Sequence, residues 1–168
     1  GPEALPGEET GMPIIGEERR SGLVDFVRRG GRVLALYQKQ ASQDWLPASL
    51  TDHASTMTFP QMPRHPVLSG LRAEDLKWWR PDNLVSAAEP VRPSARGFKA
   101  ILTSGSAAGL EHAPLLEVPL GRGTFVMAQM RIVERLGVEP AAGILLQNAL
   151  EYLADFRPSV KKTALYCP

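Results

Sequence analysis

The stretch Leu115–Phe156, LLEVPLGRGTFVMAQMRIVERLGVEPAAGILLQNALEYLADF, limits most what this chain can fold into. Two apolar runs, Leu115–Leu120 and Thr124–Met130, flank Gly121-Arg122-Gly123. Two glycines around one residue favour a tight hairpin with positive φ at the turn. A charged connection follows, then a helix opened by Pro140, whose missing N–H costs nothing in a first turn. Leu145, Ala149, Tyr152 and Phe156 recur at intervals of 4, 3 and 4, so they share one helical face. Leu146, Leu150 and Leu153 widen that face and predict a well-buried helix over a sheet.

Upstream, Glu17–Arg29 carries Leu23, Phe26 and Val27 at helical spacing and stops at Gly30-Gly31. Arg32–Tyr37 (RVLALY) is a continuous apolar run, the pattern of a strand buried on both faces. Helix, Gly-Gly and buried strand read as half of a βαβ unit and predict a parallel sheet. Gln38–Pro66 is long, polar and proline-rich, with Thr56–Phe59 as a short strand. Ala73–Trp79 reads as a short helix, Leu84–Ala88 as a strand, and Gly97–Ser104 as a strand running into a Gly/Ser loop. Met12–Ile15 and Thr163–Cys167 read as further strands.

The 168 residues suit one domain, with 43% hydrophobic and 22% charged side chains. A net charge of +1 argues against a nucleic-acid partner, which asks for a concentrated basic surface. No apolar run approaches the roughly 20 residues that cross a bilayer. Cys167 is the single cysteine, so neither an internal disulfide nor a thiolate zinc cluster is available. Gly1-Pro2 has the form left by a tag-cleaving protease. The expected division is a flexible leader over 1–11, a folded domain over 12–156, and a linker at 157–168 that begins a further domain or adds a strand.

The runs Leu23–Gln38 (LVDFVRRGGRVLALYQ) and His65–Leu71 (HPVLSGL) resemble class I glutamine amidotransferase-like, flavodoxin-like domains. Leu115–Leu153 is similar to the version of that domain appended to large bacterial glycoside hydrolases of the β-galactosidase-like, family 2 sugar-binding type. The resemblance implies a three-layer α/β sandwich with a mostly parallel sheet and one antiparallel hairpin. It implies other domains of a parent protein as partners, homo-oligomerisation, and no cofactor. Active amidotransferases place a nucleophilic Cys after the buried strand and a His, closely followed by Glu, near the end of the fold. Here those positions hold Gln38 and Gln129, so no thioester chemistry is expected. The expected function is a non-catalytic accessory domain that packs between domains, oligomerises or shapes a substrate cleft.

The remaining candidates are weighed residue by residue. Trp45, Trp78 and Trp79, with Arg80, Asp82 and Asn83, have the composition of a carbohydrate-binding surface, where sugar C–H faces stack on exposed rings. Adjacent Trp78 and Trp79 cannot face the same way, so one belongs to the core. Ser104 and Ser106, with His112 nearby, are candidate nucleophiles outside the usual G-x-S-x-G elbow. Asp52, His53 and His65 match no metal-ligand spacing, and His65 before Pro66 reads as a turn-ordering residue. Neither Glu74-Asp75 nor Glu111 with Glu117, expected to flank the hairpin, sets two carboxylates across a sugar. Arg28, Arg29 and Arg32 read as charges on a solvated helix end.

Overall fold

A computed structural model describes residues 17–39 and 46–159, with 17–21 described as backbone only. The expected strands at Met12–Ile15 and Thr163–Cys167, the 1–11 leader and Trp45 lie outside the described residues. In chain order the elements are α1 (Glu17–Arg28), β1 (Arg32–Ala35), β2 (Phe59–Pro60), β3 (Lys99–Ser106), β4 (Gly109–Leu120), β5 (Gly123–Ala128), α2 (Ile132–Arg135) and α3 (Pro140–Asp155). Two 3-10 turns, Pro66–Leu68 and Ala73–Leu76, interrupt the long connection between β2 and β3.

The sheet order is β1-β5-β4-β3-β2. Among the described strands only β1 and β5 run parallel; β5/β4, β4/β3 and β3/β2 are antiparallel. This corrects the expected three-layer sandwich with a mostly parallel sheet. Parallel neighbours need long crossovers, usually helical. Residues 38–98 contain no described helix longer than four residues and no described strand longer than two. The two-residue links β3–β4 and β4–β5 can only join antiparallel strands. Among the described residues the helix–Gly-Gly–strand unit of α1/β1 occurs once, so it supplies a single parallel pair.

Other boundaries shift for local reasons. The segment 84–88 forms single bridges at Ser86, to Ser55 and Met130, in place of a strand. The helix expected over 73–79 is a 3-10 turn ending at Leu76. Glu111 and Glu117 both lie on β4, not on either side of the hairpin.

Two apolar clusters cover the sheet. Beneath α3 and the 3-10 turns lie Leu115, Val126, Met130, Leu145, Leu153 and the wholly buried Trp79. On the other side α1 and the irregular 46–50 segment close over Val33, Leu116, Phe125 and Met127, with Leu23 and Val27 supplied by α1. α3 buries Leu145, Ala149 and Leu153 on one face as its spacing dictates, while Leu150 points to solvent.

The β4–β5 turn presses on the end of α1. Arg122 N–H donates to Arg28 O at 3.0 Å, and Thr124 N–H to Gly31 O at 3.3 Å. Gly121 sits at φ 56°. A Cβ on Gly121 would lie 2.6 Å from Arg28 O, and one on Gly123 would lie 2.1 Å from both Gly31 O and Val27 O. The Gly-x-Gly pattern thus serves close backbone approach as much as turn conformation. Arg32 of the basic trio leaves α1's end and donates from Nη1 to Ala154 O at 2.6 Å, in the last turn of α3.

Candidate functional site

Open α/β sheets bind ligands beyond the carboxyl ends of their parallel strands. Here those ends carry Gln38, after β1, and Gln129, after β5, and the two meet. Gln38 N–H donates to Gln129 Oε1 at 3.0 Å, and Gln129 Nε2 donates back to Gln38 O at 2.9 Å. The same Nε2 reaches Ala88 O at 3.0 Å and Ala87 O at 3.3 Å. Gln129 is wholly buried. One amide therefore ties both strand ends to the 86–89 segment. No group in this clamp is a nucleophile or a proton acceptor of catalytic strength.

The clamp leads to a buried polar cluster that the sequence did not single out. Ala88 adopts φ 51°, an uncommon conformation for a residue with a side chain, and Glu89 follows it, wholly buried. Ser86 Oγ donates to Glu89 Oε1, and Ser104 Oγ to Glu89 Oε2. His53 Nε2 lies 3.8 Å from Glu89 Oε2 and 3.2 Å from Ser55 Oγ. The His53 and His112 rings stack, with centroids 3.7 Å apart and planes 13° from parallel. Burial pushes the His112 imidazole below its ordinary range, and the neighbouring His53 adds to that; Glu89 and Glu111 oppose it. Its Nδ1 is buried without a hydrogen-bond partner among the described residues. The visible signal for Glu89 was a lone carboxylate in the otherwise small and apolar run VSAAEPV.

Ser104, a candidate nucleophile, is thus buried and spends its proton on Glu89. It pairs in register with His112 across β3 and β4. Ser106, at the exposed hairpin tip, accepts from Ala108 N–H. Among the described residues, His53 meets Ser55 and Glu89 through the same Nε2, so no described partner on its Nδ1 orients the ring as a triad requires. No group of three or more His, Cys, Asp or Glu among the described residues could hold a metal.

Glu117 anchors a second buried network on the face under α3. Tyr152 OH donates to its Oε1 at 2.5 Å, and Thr124 Oγ1 at 2.9 Å. Val67 N–H donates to His65 Nδ1 at 3.2 Å, which leaves the proton on Nε2, 3.1 Å from Glu117 Oε2. Lys99 Nζ stands 3.5 Å from the same oxygen. Burial raises the carboxyl, but the His65 and Tyr152 hydrogen bonds, the Lys99 charge and Thr124 outweigh it and hold Glu117 at about 2. Burial and the Glu117 charge push the Tyr152 phenol above its ordinary value. Every oxygen of Glu117 is occupied, so this network fastens α3 and the 66–68 turn to the sheet.

The proposed sugar surface divides. Trp79 is wholly buried and donates its indole N–H to Asp75 O at 2.9 Å. Trp78 is 57% exposed at φ 49°. Arg80 N–H donates to Glu139 Oε2 at 3.2 Å, and Asp82 Oδ1 accepts from Arg135 Nη2 at 2.5 Å and from Leu84 N–H at 3.0 Å. Asn83, at φ 64°, shapes the turn. The polar neighbours of Trp78 therefore bind this turn to the α2–α3 region.

No described helix is long and apolar enough to cross a membrane. No protein-family model and no curated protein matches this chain. Among solved structures, it is similar to the cytoplasmic protein STM3548 from Salmonella typhimurium, with a TM-score of 0.55 and 14% identity. The match covers 88% of this chain and 65% of that one, so this chain spans less than two thirds of that protein's length. At that identity the likeness concerns the fold alone.

Proposed function

We propose that this chain is a non-catalytic accessory domain of a carbohydrate-active protein of the bacterial glycoside-hydrolase type, acting in inter-domain packing, oligomerisation or shaping of a substrate cleft. The Gln38–Gln129 clamp carries the reading. The two positions where the resembled enzymes hold thiolate and imidazole are joined here by reciprocal amide hydrogen bonds. A site so filled offers neither nucleophile nor base. The resemblance supplies the carbohydrate context.

Incubated with glutamine, nitrophenyl glycosides and nitrophenyl esters, the chain is expected to release ammonia or nitrophenol no faster than buffer. Turnover that disappears in Glu89→Gln or His53→Asn would overturn the reading and make the Glu89 cluster an active site.

One observation favours a second reading, a carbohydrate-binding module. Trp78 holds a large ring in solvent at a φ that bulky residues rarely adopt. Titration with galactosides and plant oligosaccharides is then expected to shift the tryptophan emission in the parent chain and not in Trp78→Ala. A spectrum unmoved across the panel removes that reading.

A further inference from the structure

We propose that Glu89, His53 and His112 form a proton-operated latch, in which a proton on His112 parts the stacked rings and frees the 50–55 segment from 86–91.

The latch joins two irregular segments across the end of the sheet. Thr51 N–H donates to Glu89 O at 3.1 Å, Glu89 N–H to His53 O at 3.1 Å, and Ser55 N–H to Ser86 O at 3.0 Å. The 86–92 segment is in turn fastened to β4, through Ala113 N–H to Pro90 O at 3.0 Å and Arg92 N–H to Glu111 O at 2.6 Å. His112 stands on β4 and His53 on the outer segment, so the imidazole stack spans the joint.

Charge decides how the joint responds. A proton on His53 lies 3.8 Å from a buried carboxylate, which is an attractive pair. The His53 side chain is 21% exposed, so solvent can deliver that proton. A proton on His112 meets a different setting. Its ring lies 3.7 Å from the His53 ring, and its buried Nδ1 has no acceptor for an added N–H. The titratable groups acting on it are His53 on the outer segment, Glu89 on 86–92 and Glu111 on β4; from β3 its register partner is the neutral Ser104. Two adjacent imidazolium ions are relieved only when the rings separate. The sign follows: His112 binds a proton more weakly folded than unfolded, so the closed joint loses stability as pH falls below about 6.5, the ordinary histidine value.

Hydrogen exchange on the whole chain tests this at about pH 7.5 and about pH 5, after correction for the intrinsic rate. Protection of the Thr51, Ser55 and Glu89 amides is expected to fall by about tenfold in the acid sample. Amides of β4 and β5 should keep theirs. His112→Phe preserves a flat ring for stacking and removes the proton, so its protection should not change with pH. Equal loss in His112→Phe, or no loss in the parent chain, overturns the proposal. Proton NMR of the imidazole C–H signals gives a measurement that needs no variant. A His112 midpoint below the ordinary histidine value supports the latch; a His112 midpoint at or above about 6.5 overturns it.

Discussion

Glu117→Ala is expected to cost about 3–5 kcal/mol of stability, read as a drop in the urea midpoint with an unchanged slope. The carboxylate is wholly buried and receives Tyr152 OH, Thr124 Oγ1 and His65 Nε2, with Lys99 beside it. Removing it strands two buried donors, His65 and Thr124, the half-buried Tyr152 and a nearby cation, and stranded buried groups cost more than the net gain of the bonds themselves. Those donors come from α3, β5 and the turn at 66–68, so the loss reaches three elements at once. The pH dependence has a definite sign. Glu117 titrates at about 2 in the folded chain against about 4.3 in an unfolded one. Its contribution is complete above about pH 5 and drains away as pH falls toward 2. The acid limb of a stability curve should therefore flatten in Glu117→Gln, because that side chain has no proton to bind over this window. An unchanged acid limb would show that the network does not govern acid unfolding.

Gly123→Ala is expected to destabilise the chain by about 3 kcal/mol, at the upper end of overpacking costs. The added Cβ would sit 2.1 Å from two carbonyl oxygens, Gly31 O and Val27 O. Both belong to backbone at the end of α1, so no side-chain rotation can relieve the clash. Relief requires α1 to withdraw, which opens Leu23 and Val27 on the second apolar cluster. Gly143→Ala is a matched control, since a Cβ there meets nothing within 4 Å and the site lies at the end of α3's first turn. It should be neutral or slightly stabilising. A melting temperature equal for Gly123→Ala and the parent chain would refute the close-approach account.

The local periods in the sequence were strong where the chain is regular. The 4-3-4 spacing of Leu145, Ala149, Tyr152 and Phe156 specifies the face that α3 lays on the sheet. The Gly-Arg-Gly turn specifies the β4–β5 hairpin. What was not legible was how often the helix–strand unit repeats. One α1–Gly-Gly–β1 passage predicts a mostly parallel sheet only if it repeats, and the described residues of 38–98 hold no helix long enough for further crossovers. The candidate site was half legible. Gln38 and Gln129 were marked by the resemblance, and the fold does bring them together across 91 positions. Glu89 was not marked, because two of its three partners, His53 and Ser104, come from distant segments with no fixed spacing to it. Trp78 and Trp79 illustrate the same limit from the other side. Their adjacency implies opposite directions, but only packing decides which ring enters the core.

The sheet grows from neighbours in sequence everywhere except at one seam. The β3–β4–β5 meander closes through two-residue links, so it can assemble early and locally. β1 must find β5 across most of the chain, and the entropy of that long closure is recovered only after the rest is in place. The amide of Gln129 bonds the end of β1 and the 86–89 bend together, so one side chain bridges the seam with the longest loop.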